Sequence, residues 1–102
     1  MADLVVMYKT PKGPAAFDRY YAEHHIPLAK KMPGLRQYQV SHGPVATPAG
    51  PSAFHLIATL TFDSMEAVQA AFGSAEGQAA AADVPNFASG GADILLFDTR
   101  NV

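Results

Sequence analysis

The chain has 102 residues, 49% of them hydrophobic, and a formal net charge of −2. This composition excludes a disordered chain, and the length predicts a single domain over residues 1–102. The near-neutral charge, in which the longest basic cluster is Lys30-Lys31, argues against nucleic acid as a partner. With no cysteine and no apolar run long enough for a membrane span, we expect a cytoplasmic protein that has no disulfides and no thiolate metal sites.

Apolar and β-branched residues open the chain and predict a strand over Asp3–Lys9. A break that contains prolines follows, and Pro14 suits the first turn of a helix, where its missing N–H costs nothing. The helix is predicted to run to about Lys31, because Pro33 and Gly34 then end it. Its predicted apolar side carries Phe17, Tyr20, Tyr21, His24 and Leu28.

Two further strands are predicted on either side of a loop rich in proline and glycine. Residues 35–42 alternate in polarity, and residues 53–62 are mostly apolar and β-branched. The third strand has a predicted apolar face made of Phe54, Leu56, Ala58, Leu60 and Phe62. Its opposite face, which carries His55, is mixed in polarity, as expected of a surface that lines a cavity or an interface.

Two short helices and a last strand complete the chain. The helices are predicted over residues 63–72 and 75–83, and Asp63 or Ser64 is placed to cap the first of them. The last strand is predicted over residues 92–99. The resulting order, βαββαβ, predicts an α+β, ferredoxin-like fold in which a four-stranded antiparallel sheet carries its helices on one face.

The first and last strands are apolar on both faces. In the last strand Ile94 and Leu96 alternate with Leu95 and Phe97, so helices on one side cannot cover all four side chains. Another copy of the same chain is the simplest source of a second layer. We therefore predict a homodimer, a dimeric α/β barrel in which two sheets pack face to face and line a shared cavity.

The first strand and four later segments together resemble the EthD family, which is named for ethyl tert-butyl ether degradation. The later segments are "FxxYYxEHHIPL" from Phe17 to Leu28, "MPGLxxY" ending at Tyr38, "TFDSMEA", and "AADVPNF" ending at Phe87. The resemblance covers nearly the whole chain in the family's order and implies the dimeric α/β barrel. Related barrels include lactone isomerases, polyketide cyclases and dehydratases, and cofactor-independent monooxygenases, so the resemblance defines the architecture more narrowly than the reaction.

The resemblance also singles out one of two adjacent histidines. The family pattern H-x-P-L matches His25 and the three residues after it, and the lactone-isomerase branch implies that His25 and Tyr38 face the pocket. The helical wheel instead places His24 at the centre of the apolar stripe and His25 near its edge. We interpret His24 as a residue that packs or forms a hydrogen bond beneath the helix. We expect His25 to reach around the sheet edge into the cavity, its direction fixed by a kink at Pro27.

These residues suggest proton-transfer chemistry. A neutral imidazole at His25 can move a proton, and a phenol at Tyr38 can stabilise a developing enolate. The hypothesis is a cofactor-independent isomerase, cyclase or dehydratase, or monooxygenase-like enzyme, with His25 and Tyr38 catalytic. We expect Tyr21, His55 and Phe87 to contact a small apolar, aromatic or lactone-like ligand. No metal site is predicted, because the histidines lack the spacing of metal ligands.

Two other interpretations remain open. The protein could be a non-catalytic accessory protein that binds an apolar metabolite in the barrel cavity, or a structural dimer with a small, closed cavity. In "DVPNF", Asp83 either caps backbone groups of the turn or, with Phe87, belongs to a lid over the cavity. The alternative for Phe87 is an anchor in the core.

Overall fold

Four strands form one antiparallel sheet in a computed structural model that describes residues 1–102. In chain order the strands are β1 (Ala2–Lys9), β2 (Gln37–Val40), β3 (Ala46–Thr47), β4 (Gly50–Pro51), β5 (Phe54–Phe62) and β6 (Ala92–Asp98). The main sheet has the order β2-β5-β1-β6, and β3 pairs only with β4 in a small hairpin. This hairpin lies within the predicted loop between the second and third main strands.

All the helices pack against one face of the sheet. They are α1 (Pro14–Tyr20), a π-helical turn (Tyr21–His25), α2 (Ile26–Ala29), α3 (Met65–Gly73), α4 (Ala75–Asp83) and a 3₁₀ turn (Val84–Asn86). Together with the antiparallel strand order, they confirm the ferredoxin-like α+β fold predicted from the order of elements. None of these helices has the length and apolar character needed to cross a membrane.

The core lies between the sheet and its helices. In β1, every second side chain is buried, and Leu4 pairs with Leu60 of β5 on one side and with Leu96 of β6 on the other. The helices contribute Phe17, Tyr21 and Val68 among other side chains to the same cluster. In β5, Ala58, Leu60 and Phe62 are buried, which confirms this part of the predicted apolar face, whereas Phe54 and Leu56 are half-buried.

The face of the sheet opposite the helices is only partly covered. Leu95 and Phe97 of β6 point to this face and are 49% and 41% exposed. The side chains of Ile94 and Leu96, on the helix side of the same edge strand, are 48% and 45% exposed. The helices therefore leave both faces of β6 accessible, whereas the sequence predicted that only the face opposite the helices would be left bare.

The π-helical turn decides which of the two adjacent histidines is buried. The Ile26 N–H donates to the carbonyl of Tyr21, five residues back, so this turn holds one more residue than an α-helical turn. The extra residue moves the buried stripe on by one position, from His24 to His25. His25 is 5% exposed and His24 is exposed, so the prediction that His24 packs beneath the helix is wrong.

An irregularity in β5 redirects His55. Tyr8 pairs with Leu56, but the next residue, Lys9, pairs with Phe54, which leaves His55 without a partner in β1. Such a bulge re-aims a side chain, and His55 contacts α1, where its ring lies 5.0 Å from that of Phe17. The prediction that His55 points to the face opposite the helices is therefore wrong.

Serine side chains cap the two later helices. Ser64 Oγ accepts the Ala67 N–H at 3.1 Å, and Ser74 Oγ accepts the Gly77 N–H at 3.0 Å. Each cap satisfies a backbone donor that has no partner inside its helix, and such a cap contributes about 1 kcal/mol. Ser64 rather than Asp63 is the cap of α3.

We predict that Gly77→Ala destabilises the protein through a clash between α3 and α4. A Cβ at Gly77 would lie 1.9 Å from the carbonyl oxygen of Ala71, so the two helices would have to separate. Urea unfolding should show a loss of about 1–3 kcal/mol, typical of overpacking.

The matched control is Gly73→Ala, because no heavy atom lies within 4 Å of a Cβ at Gly73. This variant should be unchanged or more stable by up to about 1 kcal/mol. A Gly77→Ala protein as stable as the wild type would contradict the close approach of the helices.

Candidate functional site

A cavity of about 210 Å³ lies between the sheet and the helices. Most of its wall is aliphatic, from side chains such as Leu4, Ala58 and Leu60. The polar side chains that line it are Tyr8, Tyr21, His25 and Tyr38. The cavity is therefore an apolar space with one imidazole and three phenols on its wall, which is the usual character of a small-molecule site.

This cavity is on the helix side of the sheet. The buried stripe of the first helical segment, which includes Tyr21 and His25, points straight down into it. The expectation that His25 reaches around the sheet edge is therefore wrong. The reason is again the π-helical turn, which brings His25 to the centre of the stripe.

His25 is held by a buried carboxylate. Its Nδ1 lies 3.0 Å from Oδ2 of Asp83, and the two residues are 5% and 7% exposed. The Asp83 carboxylate also accepts from the Tyr20 hydroxyl at 2.6 Å and from Nδ2 of Asn86 at 3.1 Å. Asp83 therefore binds three side chains, which differs from the expected cap on backbone groups of the turn.

The hydrogen bond to Asp83 fixes the tautomer of His25. An ionised carboxylate only accepts hydrogen bonds, so Nδ1 carries the proton and Nε2 keeps a lone pair. Every fully buried side-chain nitrogen or oxygen has a hydrogen-bond partner, and Nε2 has none. Nε2 is therefore accessible from the cavity that His25 lines, where it can accept a proton from a ligand.

Burial sets the charges of this pair. It lowers the pKa of His25 below the usual 6.5, although the Asp83 carboxylate acts in the opposite direction. Burial alone would raise the pKa of Asp83, but hydrogen bonds from Tyr20, Asn86 and His25 outweigh it and lower that pKa. Near pH 7 the pair is thus a neutral imidazole beside a carboxylate.

The lowered pKa values of His25 and Asp83 both make the folded protein less stable in acid. A depressed pKa means that the unfolded chain binds a proton at a higher pH than the folded protein does. His25 therefore reduces the free energy of unfolding as the pH falls below about 6.5, and Asp83 reduces it further below about pH 3.8. The contributions of both groups are fully present near neutral pH.

Two phenols form a second polar element of the cavity. The hydroxyls of Tyr21 and Tyr38 lie 2.5 Å apart, and Tyr38 is held in β2 opposite Leu60 of β5. Burial raises the pKa of both tyrosines, and also that of Tyr8 beside them. All three phenols therefore stay protonated at neutral pH, as hydrogen-bond donors rather than phenolates.

The structure brings together three of the five site residues predicted from the sequence: Tyr21, His25 and Tyr38. Phe87 is 8% exposed and does not line the cavity; its ring lies 4.7 Å from that of His25 and supports it from behind. Phe87 is thus part of the hydrophobic core. His55 lies apart, in an outer pocket, where its Nε2 is 2.7 Å from Oδ1 of Asp18.

Sequence reasoning missed two members of the site. In the sequence, Tyr8 is one more residue in the apolar alternation of β1, and nothing there indicates that it lines a cavity. Asp83 stood out in "DVPNF", but its partner His25 is 58 residues away. No group of three or more His, Asp or Glu side chains is arranged to hold a metal ion.

The fold and the cavity define a class: a ferredoxin-like α+β protein with a small-molecule-sized cavity and a histidine–aspartate pair beneath its helices. Residues 9–91 match the model of the EthD domain. The chain belongs to the EthD family.

Sequence and structure comparisons agree with this assignment. An uncharacterized 11.0 kDa protein of the thcB–thcC intergenic region of Rhodococcus erythropolis is 40% identical over 100% of this chain and 98% of its own. The crystal structure of an EthD family protein from Bacillus halodurans is 33% identical, covers 98% of this chain and 99% of its own, and has a TM-score of 0.90.

A more distant solved structure shares the fold. It is a dimeric ferredoxin-like protein of unknown function from Thermobifida fusca, with 12% identity over 96% of this chain and 90% of its own, and a TM-score of 0.69. At this identity the similarity concerns the fold alone.

We predict that Asp83→Asn lowers the pKa of His25 further. The substitution removes the carboxylate that favours the imidazolium, whereas the burial that opposes it remains. An NMR titration of the histidine ring protons measures this shift. Asp18→Asn is the control, because Asp18 contacts His55 instead. A His25 pKa that rises, or that responds equally to both substitutions, would show that Asp83 does not hold the ring.

Proposed function

We propose that this protein is a small-molecule enzyme that transfers protons without a bound cofactor, with His25 as the general base. The observation that carries this proposal is the accessible Nε2 of a neutral imidazole whose Nδ1–H is bound by Asp83. An aligned base in an apolar space is an effective arrangement for removing a proton from a carbon acid.

Such a reaction moves only a proton and an electron pair within the ligand and the histidine, so it needs no oxidant. His25 Nε2 takes a proton from the carbon beside a carbonyl group, and the electron pair moves to the carbonyl oxygen as an enolate. A phenol of the Tyr21–Tyr38 pair donates a hydrogen bond to that oxygen. In a ligand that has a C=C bond conjugated with the enolate, the imidazolium returns the proton to the far carbon of this dienolate, and the shift of the double bond isomerises the ligand.

Asp83 contributes by position and charge. Its carboxylate keeps Nε2 directed at the cavity and stabilises the imidazolium that forms when His25 takes up the proton. Because Tyr20 and Asn86 also bind this carboxylate, it is held in place throughout the cycle. The ring of Phe87 behind His25 limits the motion of the imidazole.

We predict that His25→Gln abolishes solvent exchange into a ketone probe. Acetophenone in D₂O should gain deuterium in its methyl group when the wild-type protein is added, as followed by proton NMR. Loss of the general base should slow this exchange at least about 100-fold. Tyr38→Phe should slow it less, by about tenfold, because the Tyr21 hydroxyl remains.

The matched control is His24→Gln, which changes the adjacent but exposed histidine and should leave the rate unchanged. Equal rates for the two glutamine variants would remove His25 from the mechanism. Binding of the ketone without exchange in the wild-type protein would instead favour the alternative, a non-catalytic protein that holds an apolar metabolite.

We also propose that the protein works as a homodimer that buries β6. Support comes from the consecutive apolar residues Ile94 to Phe97, each 41–49% exposed, on an edge strand. The dimeric state of the Thermobifida fusca protein is consistent with this use of the fold. We expect the open faces of two sheets to pack against each other, with Leu95 and Phe97 at the contact.

We predict that Leu95→Glu dissociates the homodimer. A carboxylate in an apolar contact loses its hydration without gaining a partner, so the dimer should weaken by at least about tenfold in its dissociation constant. Sedimentation equilibrium measures the change. Gln69→Glu introduces the same side chain on the exposed face of α3 and should have no effect. A wild-type protein that sediments as a monomer at micromolar concentration would contradict the proposal.

A further inference from the structure

We infer that the cavity selects an uncharged carbonyl compound about the size of one substituted ring and rejects carboxylates of the same shape. This ligand class narrows the substrates of the proposed enzyme. Binding of the ligand does not depend on the proposed function, and only the reaction after binding rests on it. The ligand class follows from three independent features of the cavity wall: its volume, its lack of positive charge and its few hydrogen-bonding atoms.

The volume limits the ligand. The cavity measures about 210 Å³. An apolar protein cavity of about 150 Å³ accommodates benzene, so the additional space suits a ring that carries a short substituent. A larger ligand would extend past the exposed rim at Ala81, so the part that the cavity encloses is limited to about one substituted ring.

The charges around the cavity disfavour an anion. No lysine or arginine lines it, and the Asp83 carboxylate is bound to His25 on its wall. A bound carboxylate would therefore lose its hydration beside a like charge and a neutral imidazole. An uncharged ligand of the same shape avoids this penalty, so the wall discriminates by charge rather than by size.

The polar atoms match a single carbonyl group. Tyr21 and Tyr38 share one hydrogen bond between their hydroxyls, which leaves one phenolic proton of the pair for a ligand oxygen, and Tyr8 adds a further phenol to the same wall. His25 Nε2 accepts but does not donate. Phenolic donors and a single imidazole acceptor fit a carbonyl oxygen and a hydrogen on the adjacent carbon.

The test compares acetophenone with benzoate, two one-ring probes of similar shape that differ in charge. Isothermal titration calorimetry at pH 7.5 should show that the wild-type protein binds acetophenone at least about tenfold more tightly than benzoate. Equal or tighter binding of benzoate would overturn the inference, and so would the failure of acetophenone to bind at millimolar concentration.

Two lysine substitutions test whether the absence of positive charge on the wall causes the weak binding of benzoate. Ala81 lines the cavity and is exposed, so Ala81→Lys should place a cation at its rim without disturbing the core. Ala79→Lys adds the same charge to α4 at an exposed position away from the cavity. We expect Ala81→Lys, and not Ala79→Lys, to tighten benzoate binding several-fold. Equal effects of the two substitutions would overturn the charge argument.

The outcome separates this inference from the proposed function. Acetophenone that binds selectively but gains no deuterium would contradict the enzyme and leave the ligand class standing. Deuterium exchange together with strong benzoate binding would support the enzyme and overturn the ligand class.

Discussion

The site depends on the hydrogen bonds that the buried Asp83 carboxylate accepts. This carboxylate joins the end of α4 to the first helical segment through the side chains of Tyr20 and His25, and it binds Asn86 in the turn that follows. A buried carboxylate is costly unless its oxygens are bound, so these three donors stabilise both the helix packing and the ionised state of Asp83. The same bonds orient the imidazole, so one group links the stability of the fold to the direction of the base.

Burial lowers the pKa of the cavity histidine and raises the pKa values of the cavity tyrosines. It disfavours the charged form of each, which keeps His25 neutral and keeps Tyr21 and Tyr38 protonated. A neutral imidazole accepts a proton and a protonated phenol donates a hydrogen bond. The low polarity of the wall thus supplies both functions that proton transfer requires, and it disfavours an anionic ligand for the same reason.

Two local departures from regular structure determine where the histidines lie. The π-helical turn from Tyr21 to His25 adds one residue to the helix, and the bulge at His55 takes one residue out of the strand ladder. The first brings His25 into the cavity, and the second turns His55 toward α1 and Asp18. The π-helical turn thus lies at the histidine of the cavity, which agrees with the tendency of such turns to occur near functional residues.

The sequence by itself determined the four strands of the main sheet, the helical segments and the ferredoxin-like order, because apolar periodicity and the Pro and Gly breaks are local properties of the chain. Its resemblance to the EthD family also indicated His25 and Tyr38. Only the tertiary structure decided that His25 rather than His24 is buried, that Asp83 binds it, and that Tyr8 joins the site. A fixed helical period cannot represent a widened turn, and a hydrogen bond between residues 58 positions apart exists only once α4 has packed against the first helix.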